Sequence, residues 1–240
     1  MSTEGHLVQG QRVALPVEIR QASAAVAMYS VPAAAAQAII DYSGLRVLRY
    51  RTGRAVCAVL FVDYVEGDLG RYHEFGIGFG VHAPGAPGRD GGLRSRLLGK
   101  VGLFVHRLPV DQAFTLQAGR SIWGFPKVMS TIDTDDAGQR AALRIDDQLV
   151  AELTVTPGLP VPGAGLSLPL DAYTHMDGVL RRVPWTMTAS GTRTRPGGAR
   201  VVLGEHPWGT ELAALGLPKR AMLSSTIGQV GMSFAEAEIV

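Results

Sequence analysis

Hydrophobic and polar positions alternate along much of the chain with a period of two, the period of strands rather than helices. The alternation is clearest in YHEFGIGFGVH, residues 72 to 82. There His73, Phe75, Ile77, Phe79 and Val81 fall on one face, which reads as a core face, and Glu74, Gly76, Gly78, Gly80 and His82 fall on the other. Three alternating glycines leave a strip of that second face bare. Such a strip permits a bend, the close approach of another backbone, or a ligand cavity. On pattern alone the plainer reading is a barrel strand that bends at its glycines, with Glu74 solvated at its end. VALPVEI, ASAAVAMYSV, LRVLRYR, AVCAVLFVDY and VGLFVHRL read as further strands, and AALRI, LVAELTVT, WTMTAS and ARVVL continue the series.

Helical signals are confined to three segments. PAAAAQAIID (32–41) starts at a proline and is rich in alanine. VDQAFTLQAG (110–119) offers Asp111 as an N-cap and Gly119 near its end. TELAALG (210–216) is a short third. APGAPGRDGG (83–92) reads as a surface loop, and PGLPVPGAG (157–165) as a break after which the strand pattern resumes. The expectation is one domain over residues 1–240, of α+β class and mainly antiparallel β, with a few helices packed on the strands.

Composition narrows the function classes. The chain has 240 residues, 46% hydrophobic and 18% charged, which suits a globular protein able to bury a core. A net charge of +2 makes no case for nucleic acid or an anionic membrane surface as partner. No apolar run approaches the ~20 residues that span a bilayer, and MSTEGHLVQGQRV lacks the pattern of a signal peptide. A soluble, cytoplasmic protein is expected. The single cysteine, Cys57, lies in AVCAVLFV and reads as a small buried hydrophobe. The six histidines (6, 73, 82, 106, 175, 206) show no metal-binding spacing, so neither a metal nor a cofactor is expected. Neither a GxSxG elbow nor a P-loop occurs, and GIGFG inside a strand is not a dinucleotide fingerprint.

One residue stands against this background. Lys127 sits in GRSIWGFPKVMS, beside Trp123, Phe125, Val128 and Met129, with Gly124 and Pro126 bending the chain. A buried lysine cation is costly, whereas a neutral amine is a nucleophile. Only Lys100, Lys127 and Lys219 are lysines in this arginine-rich chain, which favours a need for a titratable amine at the positions that keep one. On residues alone the competing reading is a lysine whose stem packs on Trp123 while its amine reaches water. The dipeptide Pro-Lys recurs at Pro218-Lys219.

GRSIWGFPK resembles the segment of the acetoacetate decarboxylase superfamily that ends in a Schiff-base lysine. DQAFTLQAGR resembles the helix before it, and DYVEGDLGRYHEFGIG the loop and Tyr-x-Glu strand upstream. LPVEIRQASAAVAMYSVPAAAAQAII is similar to the N-terminal strand and helix, and HPWGTELAALGLPKRAMLSS to a segment near the end. The resemblance covers most of residues 12 to 230. It implies a β-barrel or cone with a few packed helices, a homo-oligomer and a small keto acid substrate. It further implies Lys127 as nucleophile, Glu74 as proton relay, Arg20 on the substrate carboxylate, and Trp123 and Phe125 as cavity wall against the substrate. Arg120 would brace the loop.

Two positions depart from the family pattern. Val128 stands where a second lysine is usual, and counting back along the spacing puts Val59 where a second glutamate is usual. About one ordinary lysine amine in 2,500 is neutral at pH 7. With no cation next door, burial among Trp123, Phe125 and Met129 is the remaining means of favouring the neutral amine. The expected function is a Schiff-base carbon–carbon lyase acting on a small keto acid, foremost a β-keto acid decarboxylase. An aldolase-dehydratase or cyclase using the same lysine, and a non-catalytic small-ligand binder, are the alternatives.

Overall fold

The structure, a computed structural model, describes residues 5–85, 101–135, 137–162 and 167–240. Residues 86–92 of the expected loop, Lys100, and residues 163–165 of the expected break lie outside the described residues.

A short hairpin, β1 (His6–Val8) and β2 (Gln11–Val13), precedes the main sheet. Seven strands then form a barrel: β3 (Val17–Pro32), β5 (Arg54–Gly67), β6 (Tyr72–His82), β7 (Val101–Arg107), β12 (Leu168–Met176), β13 (Val179–Arg195) and β15 (Leu223–Phe234). Their order is β13-β12-β7-β6-β5-β3-β15, and β15 pairs back onto β13 to close the ring. Closure leaves the ring without free edges. Neighbours are antiparallel except β7 and β12, which are parallel. Short β4 (Arg49–Arg51), β11 (Leu159–Pro160) and β16 (Glu238–Ile239) pair onto β5 and β13. A second antiparallel sheet has the order β14-β10-β9-β8, from Ala199–Leu203, Gln148–Val155, Arg140–Ile145 and Thr131–Thr134. Three helices are described: α1 (Ala33–Ile40), α2 (Ala113–Ala118) and α3 (Pro207–Ala214). None is long and apolar enough to cross a membrane.

Strand alternation divides the core in two. Cys57, Val59 and Phe61 of β5, with Phe75, Ile77 and Phe79 of β6, join the core shared with α1, α3 and the second sheet. Val62 and Tyr64, with Tyr72, belong to the other cluster, alongside Val17, Ile19, Val105, Val183 and Met232. That second cluster fills the barrel interior. The expected core face of residues 72–82 is therefore the outer face, packed under the second sheet. The bare strip of glycines is not empty. A Cβ on Gly76 would lie 2.8 Å from Leu60 Cδ1, and one on Gly78 would lie 2.8 Å from the Phe104 carbonyl oxygen and 3.0 Å from Leu103 Cδ1. The glycines make room for Leu60 and Leu103, which line the interior themselves.

The strand expectations differ from the structure in three places. VALPVEI is interrupted: β2 ends at Val13 and β3 begins at Val17, across the cis Leu15-Pro16 bond. LRVLRYR yields a strand only at Arg49–Arg51; Val47 makes a single bridge to Val81, and Leu45 and Val47 are buried in the outer core. The barrel strands β12 and β15 are not marked by the alternation. Gly228, Gly231 and several serines dilute β15, and a proline interrupts β12 at Pro169.

Candidate active site

Glu74 projects from β6 into the barrel, opposite Val62 on β5. Two residues back, Tyr72 faces Tyr64, and their rings stack with centroids 4.2 Å apart. The Tyr64 hydroxyl donates to Glu74 Oε1 at 2.9 Å. The next layer comes from the segment before α2. Asp111 is not the N-cap: it accepts from the His73 backbone N–H at 2.7 Å and pairs with His73 Nδ1 at 2.6 Å. Gln112 takes the capping role, its side-chain oxygen accepting from Thr115 N–H at 2.6 Å. The segment is thereby tied to the back of the Glu74 strand, and α2 delivers buried Thr115 to the interior.

After α2 the chain does not stop at Gly119 but widens into a π-turn over Gly119–Trp123. Gly124 ends it at φ 66°, a left-handed conformation that a glycine adopts without strain. The chain then turns at Pro126, where Lys127 N–H donates to the Phe125 carbonyl at 2.7 Å. Val110 N–H donates to the Val128 carbonyl at 3.0 Å and Ser130 N–H to the Val110 carbonyl at 2.9 Å, which fixes this stretch beside the segment behind β6. A Cβ on Gly119 would lie 2.5 Å from Lys127 Cδ and 2.7 Å from Cε. The first glycine of GRSIWGFPK is thus the channel for the lysine stem.

These elements place Lys127 Nζ 2.9 Å from Glu74 Oε2 and within 3.1 Å of Thr115 Oγ1. It also lies 5.0 Å from the centroid of the Tyr72 ring. Both ionisable side chains are buried, at 3% and 8% exposure. The polar atoms of Tyr64, Glu74, Lys127 and Thr115 form a continuous chain of contacts, with the Tyr72 ring stacked on Tyr64. Burial first, and then the nearby Glu74 charge, hold the Tyr64 and Tyr72 phenols well above the usual tyrosine range. Both remain protonated donors. Burial likewise pushes the Tyr29 phenol up to about 12.

A pH dependence follows from these raised values. Groups that must stay protonated in the fold contribute fully below the pH at which unfolded phenols ionise, about 10, and the contribution falls away above it. Thermal denaturation is expected to show a falling midpoint between about pH 10 and the folded values, and a smaller fall in a Tyr64→Phe variant.

Tyr64, Tyr72, Glu74 and Lys127 sit in the wall of a cavity of about 160 Å³ inside the barrel. All seven barrel strands contribute to the lining, which is otherwise apolar, with Ile19, Leu60, Leu103, Met187, Ile227 and Met232 among its residues. Trp123 and Phe125 line it as expected from their positions in the lysine segment. Trp123 donates its Nε1–H to the Ala235 carbonyl at 2.8 Å, so it offers the cavity only ring surface. Among the described lining residues, Lys127 is the one cation and Glu74 the one anion.

Arg20 is not brought to this cavity, and the expectation that it meets the substrate there is corrected. Ile19 points inward from β3, so Arg20 points outward. It is half exposed and donates to Glu66 Oε1 at 2.9 Å and Asp68 Oδ1 at 2.7 Å. Val59, at the position counted back for a second glutamate, lies in the outer core, and the residue facing Glu74 across β5 is the apolar Val62. Arg120 is exposed, with its carbonyl accepting from Gly124 N–H. No cluster of three or more His, Cys, Asp or Glu residues suited to a metal occurs among the described residues.

The sequence matches the family model for acetoacetate decarboxylase (ADC) over residues 7–240. The chain belongs to the acetoacetate decarboxylase family. Solved structures share the fold of this acetoacetate decarboxylase family member at low identity. Acetoacetate decarboxylase from Legionella pneumophila is 18% identical, with TM-score 0.69 over 96% of this chain and 90% of that one. The enduracididine biosynthesis enzyme MppR, in complex with the condensation product of pyruvate and imidazole 4-carboxaldehyde, is 15% identical, with TM-score 0.62 over 100% and 97%. An acetoacetate decarboxylase-like enzyme from Sphingomonas wittichii RW1 is 14% identical, with TM-score 0.62 over 100% of both chains. No protein among those of curated function matches the sequence.

Thr115, Tyr64 and Tyr72 contact the Lys127–Glu74 pair of this family member and were not singled out by sequence reasoning. Tyr72 carried a signal, as the tyrosine of Tyr-x-Glu. Tyr64 did not, because only the register of β5 on β6 brings it to Glu74.

Proposed function

We propose that this protein is a Schiff-base enzyme that makes or breaks a carbon–carbon bond next to the imine it forms, with Lys127 as nucleophile. The observation that carries the reading is the buried Lys127–Glu74 contact in the wall of an otherwise apolar cavity. Membership in the acetoacetate decarboxylase family supports it.

The chemistry begins with a proton. Glu74 Oε2 is in direct contact with the amine and takes its proton, which leaves the neutral nucleophile beside a neutral acid. The amine adds to a carbonyl carbon. Glu74 then returns the proton to the carbinolamine hydroxyl, water departs, and an iminium faces a carboxylate. The iminium draws electrons from the adjacent carbon, so a group or proton attached there can leave. Tyr64 holds Oε1 and turns Oε2 toward the amine, and Thr115 orients the amine from the other side. Trp123 and Phe125 wall the substrate and exclude water.

Two reactions use this intermediate. In decarboxylation of a β-keto acid, the foremost expectation from the sequence, the apolar lining would raise the energy of the carboxylate relative to departing carbon dioxide. In aldol chemistry the enamine adds to, or departs from, a second carbonyl. The complex of MppR with a condensation product shows that a structure of this fold has been captured with such a molecule bound.

Imine formation exchanges a ketone's oxygen with water. The protein is expected to accelerate oxygen-18 exchange from a ketone, with the acceleration absent in Lys127→Arg. Exchange at the uncatalysed rate would count against the proposal. Gly119→Ala probes the same step from behind the nucleophile. Its Cβ would push the lysine stem, and a displacement near 1 Å is expected to slow exchange by about 100-fold. Circular dichroism of the variant checks that the fold survives.

A further inference from the structure

Resting on the imine reading above, we propose that the substrate is a neutral ketone or aldehyde with an apolar body of roughly six to eight carbons, and not a short keto acid. Size is the first argument. The cavity of about 160 Å³ is comparable to an engineered cavity of about 150 Å³ that holds benzene. That volume bounds the substrate to a body of this size, and charge decides which molecules of that size fit.

Charge is the second argument. Nothing in the described lining can neutralise a carboxylate. Lys127 is paired with Glu74, and Arg20 lies outside the cavity, paired with Glu66 and Asp68. Of the neutral donors, Tyr64 donates to Glu74 and Trp123 to Ala235, while the buried Trp185 Nε1–H has no partner and can hydrogen-bond a substrate oxygen without neutralising a charge. Across the barrel from β6, three strands away by either route, the wall is Trp185 and Met187 of β13 with Met232 and Phe234 of β15. Trp185 and Phe234 stack there, ring planes 7° apart with centroids 5.3 Å apart. That wall suits a hydrocarbon tail.

Charge balance through the cycle is the third. At rest the site holds one ammonium and one carboxylate. After proton transfer it holds a neutral amine and a neutral acid. The N–C bond forms, the C–O bond breaks, water leaves with the proton from Glu74, and an iminium faces a carboxylate again. When an α-proton passes to Glu74, its electron pair becomes the enamine C=C bond and the C=N electrons return to nitrogen. For a β-hydroxy carbonyl compound Glu74 takes the hydroxyl proton instead. The Cα–Cβ bond then breaks to release an aldehyde and leave the enamine. With a neutral substrate the site carries no net charge at any stage. A keto acid would carry one uncompensated negative charge through every stage, in surroundings where that is costly. The geometry therefore favours the aldol or retro-aldol use of the enamine over loss of carbon dioxide.

The test is borohydride reduction of the unmodified protein with 2-heptanone, acetoacetate or pyruvate, separately and in competition, followed by mass spectrometry. The Lys127 adduct of 2-heptanone is expected at concentrations about ten-fold or more below those needed for either keto acid. An adduct from the keto acids at equal or lower concentration, with 2-heptanone equal or absent, would overturn the substrate assignment while keeping the imine reading. No adduct from any of the three would overturn both.

Discussion

Lys127→Arg is expected to abolish imine formation while leaving a folded protein. Arginine keeps the positive charge beside Glu74 but cannot give a neutral amine near neutral pH. The charge pairing at the site is therefore retained and the nucleophile alone is lost. Turnover, oxygen-18 exchange and borohydride adducts should all drop to background, while the variant still unfolds in one cooperative transition. The longer guanidinium must share the space of Glu74 and Thr115, so a stability loss of about 1–3 kcal/mol is expected from overpacking. Retained activity would remove Lys127 from the chemistry.

Glu74→Gln separates the relay from the nucleophile. The amide cannot take the proton from Lys127 or return it to the carbinolamine hydroxyl. Turnover should fall about 100- to 10,000-fold, the usual share of a positioned acid–base group. The amine remains, so slow stoichiometric trapping at Lys127 should persist. The same change leaves the buried amine without its ionic partner. If it stays charged, the fold should lose about 3–5 kcal/mol. Denaturant titrations of the parent and the variant at neutral and mildly alkaline pH measure the difference. A variant with full turnover and parental stability would contradict both the relay and the ion pair.

The pair at the heart of the site was legible through the family resemblance; pattern alone left Glu74 solvated at a strand end, whereas it is buried. Alternation in YHEFGIGFGVH puts Glu74 on the face opposite Phe75, Ile77 and Phe79, and the structure turns the Glu74 face inward. The glycine and proline punctuation around Lys127 marks a shaped segment, and Gly119 and Gly124 both meet physical requirements there. The alternation in VEIRQ also contained the answer for Arg20: an inward Ile19 requires an outward Arg20. Likeness to a family motif outweighed that local rule.

What could not be read depends on pairing between distant segments. Tyr64 reaches Glu74 only through the register of β5 on β6, and Thr115 reaches Lys127 only after the π-turn folds the chain back. Asp111 has the right residue type for a cap, but His73, 38 positions earlier, offers it a stronger bond. Gln112 then caps in its place. Counting along the chain to Val59 could not show that Val62 lies opposite Glu74, because the register of β5 on β6 sets that pairing. In the barrel strands β12 and β15, closure of the ring, and not their own hydrophobic pattern, makes them strands.

The most direct measurement is borohydride trapping with a ketone, followed by peptide mapping. The account predicts one reduced adduct, located on Lys127, formed at neutral pH and lost in Lys127→Arg. An adduct on another residue, or none on Lys127 under conditions where the folded protein is saturated with ketone, would contradict it.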